Sequence, residues 1–148
     1  TVDNALIASL AMFDNQLYAL TRNPTVGSEI CRSSNGLDWT KVVDGGLGDS
    51  NNNRGYGLKV FGSHLYWITG NLASGAEVWR TANGTTWEQV GDGGWGDADN
   101  WGSYWSNSVA VFGERLFVGT IKPLTGGCEV WLYPYSRVFL PLVVRDAS

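Results

Sequence analysis

Charge, histidine and cysteine are all scarce in this chain. Only 16% of its 148 residues are charged, and the formal net charge is −4. A nucleic-acid partner is excluded because phosphate binding requires a basic face, whereas this chain is acidic and has no basic run. No apolar stretch approaches the roughly 18 residues that a membrane helix needs, so we expect no membrane insertion.

Glycine is abundant by contrast, and the sequence repeats itself three times. Phe13, Phe61 and Phe112 mark equivalent positions that are 48 and 51 residues apart. Behind each phenylalanine comes a second shared block containing Gly-x-Glu, with its glutamates at Glu29, Glu77 and Glu129. A repeat of this length built from short strands is typical of a β-propeller, in which one repeat forms one four-stranded blade.

We therefore predict an all-β fold of three four-stranded antiparallel β-propeller blades. The three blades are expected at residues 1–52, 53–100 and 101–148. Their first strands are expected at residues 6–13, 56–61 and 106–112. Each first strand is followed by a short polar turn and a second apolar strand, which is the pattern of a β-hairpin. In the third repeat, residues 138–144 are expected to supply the fourth strand.

An Asn-Gly pair follows the third strand in the first two repeats, within residues 33–39 and 81–87. Asn-Gly is a strong hairpin signal because both residues accept positive φ angles. The two segments resemble the Asp-box of the sialidase-like (BNR) propellers, with Asn in place of Asp and one residue fewer before the glycine. The third repeat, at 133–139, has lost the box. The resemblance implies a propeller with degenerate boxes, and in that family the box is a structural fold-back rather than a catalytic site.

Three blades are too few for a closed ring. Closed propellers have roughly four to eight blades, because each blade covers its apolar faces with neighbours on both sides. We expect the ring to be completed by oligomerisation, for example by a second copy related by a two-fold axis. The alternatives are that the chain is part of a larger propeller or packs against another subunit.

Catalysis is not expected. A sialidase-like site requires clustered arginines and a tyrosine nucleophile, but apart from the structural pair Arg32 and Arg80 the arginines fall at unrelated repeat positions. His64, the single histidine, falls at a hairpin turn, and no partner triad for a serine or cysteine nucleophile is evident. Cys31 and Cys128 occupy different repeat positions, so two buried free thiols are expected, with a disulfide as the alternative.

Aromatic residues crowd into the connection that enters the third repeat. Trp95, Trp101, Tyr104 and Trp105 lie within this segment, and the repeat does not account for them. Rigid aromatic side chains on a loop stack on sugar rings or anchor a protein partner. These four residues are the predicted glycan-binding site, and the alternative is that they fill the gap between blades.

The same connection carries clustered oxygen ligands. Residues 92–100 repeat the Asp- and Asn-rich pattern of residues 44–52. Within them, Asp97, Asp99 and Asn100 form a candidate Ca²⁺ site, because Ca²⁺ prefers carboxylate and amide oxygens. The alternative is that they cap their own backbone. Asn83 begins an Asn-Gly-Thr glycosylation sequon in a hairpin, which is meaningful if the chain is secreted.

Taken together, the sequence predicts a non-catalytic extracellular binding module whose best-supported ligand is a glycan. The chain begins at Thr1 without methionine or a signal sequence, so we expect a mature chain or a fragment. One alternative is a structural subunit that assembles into a ring or filament. Another is a fragment of a sialidase-like glycoside hydrolase.

Overall fold

The computed structural model describes residues 4–91, 93–102, 108–122 and 127–133. Within these ranges the protein is all-β and contains three antiparallel sheets of four strands each, in chain order. Sheet 1 consists of β1 (Leu6–Phe13), β2 (Gln16–Arg22), β3 (Ile30–Ser33) and β4 (Thr40–Val43). Sheet 2 consists of β5 (Asn52–Phe61), β6 (His64–Asn71), β7 (Val78–Thr81) and β8 (Glu88–Gly91). Sheet 3 contains β9 (Trp101–Gly102), β10 (Val109–Phe112), β11 (Arg115–Ile121) and β12 (Cys128–Tyr133). The prediction of three antiparallel β units is thereby confirmed.

Sheets 1 and 2 are simple meanders, whereas sheet 3 has a first strand in two pieces. Trp101 of β9 pairs with Ile121, and Val109 of β10 pairs with Val118, so both pieces lie along the same edge of β11. The fourth strand predicted at 138–144 lies outside the described residues. Among the described residues, no helix is long and apolar enough to cross a membrane.

The first hairpin of each sheet follows the sequence prediction. In sheet 1, Asp14 and Asn15 adopt φ angles of 47° and 56° between β1 and β2. Positive φ at both central residues defines the type I′ turn, which matches the right-handed twist of the flanking strands. The sequence signal is local here, and so the prediction succeeds.

The hairpins predicted at the two Asn-Gly pairs are confirmed, since β3 pairs with β4 and β7 pairs with β8, but the asparagines do not share the positive φ angle. Only Gly36 and Gly84 adopt positive φ, at 77° and 76°. Asn35 acts through its side chain instead, since its Oδ1 accepts the Asp38 backbone N–H at 2.9 Å. Ser33 Oγ accepts the Gly36 N–H at 2.8 Å, and together these bonds fold the loop back on itself.

The three sheets stack face to face, with sheet 2 in the middle. On β6, Leu65 and Trp67 join the core cluster shared with sheet 1, whereas Tyr66 and Ile68 join the cluster shared with sheet 3. Successive strand residues point to opposite faces, so one strand serves both interfaces. We call the face turned toward the preceding sheet the near face, and the opposite one the far face.

Short turns join one sheet to the next. The segments Gly45–Gly48 and Gly93–Gly96 are 3₁₀-type turns that contain left-handed residues. Leu47 and Trp95 adopt φ angles of 63° and 54°, and each packs against the core cluster between the two sheets that its turn connects. Sheet 2 thus begins at Asn52, one residue before the blade boundary expected from the repeat.

Candidate functional site

The candidate site lies in the connection between sheets 2 and 3, of which residues 93–102 are described. Its backbone is fixed on sheet 2, because Gly94 N–H donates to Ala76 O at 2.8 Å and Ala76 N–H donates to Asn100 O at 2.8 Å. A Cβ atom on Gly75 would lie 2.5 Å from the Gly94 backbone, so the two segments of the chain are in direct backbone contact where both residues are glycine. The site is therefore held by the main chain.

The connection between sheets 1 and 2 has the same geometry. Gly46 N–H donates to Ser28 O at 3.0 Å, and Ser28 N–H donates to Asn52 O at 2.8 Å. Because the same backbone bonds recur 48 residues earlier, the Gly-Gly segments at 45–46 and 93–94 are a structural feature of the repeat. Features found in only one connection are the ones to examine for function.

Trp95 lies against sheet 3. Its ring stacks on Trp131 with centroids 5.0 Å apart and planes 15° apart. Leu47, at the equivalent place in the first connection, also packs into the core, so Trp95 has an inter-sheet packing role. One ring face is covered by Trp131, and a sugar role for Trp95 stays a prediction.

Trp101 occupies a different setting. It begins β9, its backbone pairs with Ile121, and its side chain is partly exposed. Its partner Ile121 is the repeat counterpart of Gly70, and Gly70 pairs with Arg54 in sheet 2. Arg54 is therefore the equivalent residue, and the sheet does not require an aromatic residue at this position. The other two predicted sugar-binding residues, Tyr104 and Trp105, lie outside the described residues.

A charged group next to Trp101 was not anticipated from the sequence. Lys122 Nζ lies 2.7 Å from Glu129 Oε1 and 2.9 Å from Asp97 Oδ2. The hydrogen bonds that Lys122 donates to Glu129 and then to Asp97 raise the pKa of Lys122. The bond from Lys122, and then the bond from the Asp99 backbone N–H, lower the pKa of Asp97. Lys122 and Asp97 are therefore ionised at neutral pH.

In the preceding repeat, a neutral amide takes the place of the Lys122 ammonium group. There, Asn71 Nδ2 donates to Asp49 Oδ2 at 2.8 Å and to Asn52 Oδ1 at 3.1 Å. Lys122 stands at the repeat position of Asn71. That substitution in an otherwise regular repeat was the signal that would have revealed the group.

The predicted Ca²⁺ ligands are engaged in hydrogen bonds within the protein. Asp97 bonds to Lys122, and its Oδ1 accepts the Asp99 N–H at 3.0 Å. Asn100 is buried, and its amide donates to Gly94 O at 3.1 Å. No three His, Cys, Asp or Glu side chains form a metal-binding group in the part of the chain that the structure describes. Calcium binding at Asp97, Asp99 and Asn100 stays a prediction.

The recurring glutamates accept hydrogen bonds within their own sheet. Glu77 Oε2 accepts from Asn52 Nδ2 at 3.0 Å and from Trp79 Nε1 at 2.9 Å. Glu29 accepts the equivalent bond from Asn4 Nδ2 at 2.8 Å, since Asn4 and Glu29 stand 48 residues before Asn52 and Glu77. These carboxylates fasten the start of the first strand to the third strand.

Two further predicted features lie away from this connection. Asn83 is exposed in its hairpin, and its Oδ1 accepts the Thr85 and Thr86 backbone N–H groups. Its glycosylation stays a prediction. Cys31 and Cys128 are free thiols on sheets 1 and 3, but the prediction that they are buried was wrong, because Cys31 is half-buried and Cys128 is exposed. Burial, and then the nearby Glu29 carboxylate, raise the pKa of the Cys31 thiol.

Acid should weaken the first connection through Asp49. Burial opposes ionisation of this carboxyl, but hydrogen bonds from Asn51 and Asn71 lower its pKa below the ordinary 3.8. The folded pKa is depressed, so the stabilisation is present above 3.8 and lost as the pH falls through the folded value. We expect Asp49→Asn to lower the free energy of unfolding by about 1 kcal/mol at pH 7.

Thermal melts of Asp49→Asn and the wild-type protein between neutral and strongly acidic pH test this. The difference in Tm should shrink as the pH falls below 3.8. A gap of constant size across this range would show that the Asp49 charge does not contribute.

No protein-family model matches the chain, and no curated protein matches it.

Proposed function

We propose that the chain is a non-catalytic, extracellular β-propeller segment that binds a glycan at the surface around Trp101. The observation that supports the ligand is the partly exposed Trp101, whose backbone pairs with Ile121, the neighbour of Lys122. Lys122 forms a charged group with Asp97 and Glu129. A lysine between two carboxylates also occurs in sheet 1, where Lys41 bonds to Glu29 and Asp44, so Trp101 rather than the charged group distinguishes this surface.

The chemistry of this surface suits a sugar. An indole ring offers an apolar face for the C–H side of a pyranose at a low entropic cost. Ionised carboxylates and an ammonium group make stronger hydrogen bonds to hydroxyl groups than neutral partners do. Because Lys122 is already neutralised by two carboxylates, the surface favours a neutral sugar over an acidic one.

The propeller proposal is supported by the order of the sheets. Each four-stranded sheet covers its neighbour face to face in chain order, which is how blades pack in a propeller. The folded-back loops at Ser33 and Thr81 support the likeness to sialidase-like propellers, since their hydroxyls and asparagines make the same bonds in both sheets.

A glycan array followed by titration calorimetry tests the proposal. We expect the wild-type protein to bind a neutral glycan, and Trp101→Ala to weaken that binding by up to about tenfold, because stacking on one aromatic ring is worth roughly 0.5–1.5 kcal/mol. The matched control is Arg54→Ala, which changes the equivalent residue of sheet 2. Equal affinity of Trp101→Ala and wild-type protein would refute the site.

A structural assembly subunit is the second candidate function. It is favoured by apolar sheet faces that the described residues leave uncovered, with Leu10, Met12 and Phe112 strongly exposed. Assembly and glycan binding use different surfaces and are compatible with each other.

A further inference from the structure

The near face of sheet 1 is equivalent to a face that is buried in sheet 2. In sheet 2, Leu58 is directly opposite Trp67, and both belong to the core shared with sheet 1. In sheet 1, Leu10 and Ala19 are the counterparts of Leu58 and Trp67, 48 residues earlier, and they are opposite each other in the same way. Residues opposite each other on antiparallel strands share a face, so Leu10 lies on the face that would meet a preceding sheet.

Exposure of this face differs sharply between the two sheets. Leu58 is 3% exposed, whereas Leu10 is 60% exposed and Met12, on the same face, is 62% exposed. Trp87 packs edge-on against Trp67 in the core, but its equivalent Trp39 is 42% exposed. Large apolar side chains clustered on one exposed face mark an interaction surface.

The loop after the third strand shows what the missing neighbour would supply. In sheet 2, Gly84 lies directly against the phenol of Tyr18 on the far face of sheet 1. Gly36, its equivalent in sheet 1, adopts nearly the same φ angle and has no atom within 4 Å of its Cβ position. The position is thus shaped to receive an aromatic residue from a preceding sheet.

Sheet 3 carries the complementary surface on its far face. Phe117 stands at the repeat position of Tyr18 and Tyr66, and it is opposite Ala110 in the sheet. Phe112 lies on the same face and is 80% exposed, while its equivalent Phe61 packs into the core shared with sheet 3. The chain therefore displays both halves of the contact that it already makes between sheets 1 and 2.

We propose that a second copy of this chain docks head to tail, with the far face of its sheet 3 against the near face of sheet 1. Phe117 of one copy would lie against Gly36 of the other, and Phe112 near Met12. This inference rests on the propeller arrangement proposed above.

Two such contacts, related by a two-fold axis, would close a ring of six sheets. Six is the only multiple of three within the roughly four to eight blades of closed propellers. A pair of copies is therefore the assembly that would cover the near face of sheet 1 and the far face of sheet 3, as far as the described residues define them, with contacts of a kind already present between sheets 1 and 2.

The near face of sheet 1 is flatter than its counterpart. Ala19 and Cys31 stand where sheet 2 has Trp67 and Trp79. Its exposed apolar surface comes from Leu10, Met12 and Trp39, so a charge introduced there should act on docking while leaving the described core of the subunit intact.

Sedimentation velocity on the 148-residue chain tests the proposal. The wild-type protein is expected at twice its 16.1 kDa chain mass. Met12→Lys and Phe112→Glu should each be a monomer with a wild-type circular dichroism spectrum. Mixing the two variants should restore a dimer, since one wild-type contact forms and the other pairs lysine with glutamate. Val26→Lys, at an exposed apolar residue outside both faces, is the control and should remain a dimer.

Two results would overturn the docking proposal. One is a wild-type chain that stays monomeric at its highest soluble concentration. The other is a Phe112→Glu variant that dimerises while Met12→Lys does not, because this result would mean that sheet 1 pairs with itself. A monomer that still binds glycan would refute the docking alone, and a dimer that binds none would refute the glycan proposal alone.

Discussion

Replacing Gly75 with alanine is expected to destabilise the protein severely. Gly75 has a φ angle of 89°, and an added Cβ would lie 2.5 Å from the Gly94 backbone. The left-handed conformation costs a residue with a Cβ roughly 1–2 kcal/mol, and the forced backbone movement roughly 1–3 more. A total of about 2–5 kcal/mol is a large part of the roughly 5–15 kcal/mol of a typical domain.

Gly48→Ala is the control that separates these two contributions. Gly48 has a φ angle of 93°, but no atom lies within 4 Å of its Cβ position. Its substitution should therefore cost only the conformational part, about 1–2 kcal/mol. Urea denaturation measures both variants, and equal losses for Gly75→Ala and Gly48→Ala would disprove the close backbone contact.

Truncating Trp67 is expected to have an effect of similar size. Its side chain is fully buried between sheets 1 and 2, and its ring meets Trp87 edge-on with centroids 6.4 Å apart. Trp67→Ala removes apolar contacts and leaves a cavity, so we expect a loss of about 3–5 kcal/mol in the free energy of unfolding. Differential scanning calorimetry would show a corresponding fall in Tm.

Trp67→Phe is the matched variant. The indole Nε1 of Trp67 has no hydrogen-bond partner among the described residues, so replacing it with phenylalanine removes a buried unsatisfied donor together with some volume. We expect a loss under about 1.5 kcal/mol. If Trp67→Phe were as damaging as Trp67→Ala, ring packing between the sheets would not be the source of stability.

The strand order was predictable because its signals are local. Alternating residues around Asp14 and Asn15, repeated at a fixed spacing, indicate hairpins without knowledge of distant contacts. Asn35 shows the limit of such reasoning. The Asn-Gly pair predicts a turn, but the choice between a positive φ angle and a side-chain hydrogen bond depends on Ser33 and Asp38 around it.

The candidate site was only partly predictable. Trp95 stacks on Trp131, a residue 36 positions later, and no local pattern reveals that pairing. Lys122 was missed for the opposite reason. Its position in the repeat was visible, but its significance follows from Asp97 and Glu129, which converge on it only in the folded chain. Long-range contacts of this kind decide which aromatic residue faces solvent.

The way in which the sheet-to-sheet connections are anchored bears on how such a protein diversifies. Gly94 and Ala76 hold their connection by main-chain hydrogen bonds, so the adjoining side chains are under little structural constraint. Arg54 and Trp101 occupy equivalent places in sheets 2 and 3, and the main-chain anchorage is the same in both connections. A scaffold of this design allows new recognition chemistry to be acquired one substitution at a time, without a change in the backbone that supports it.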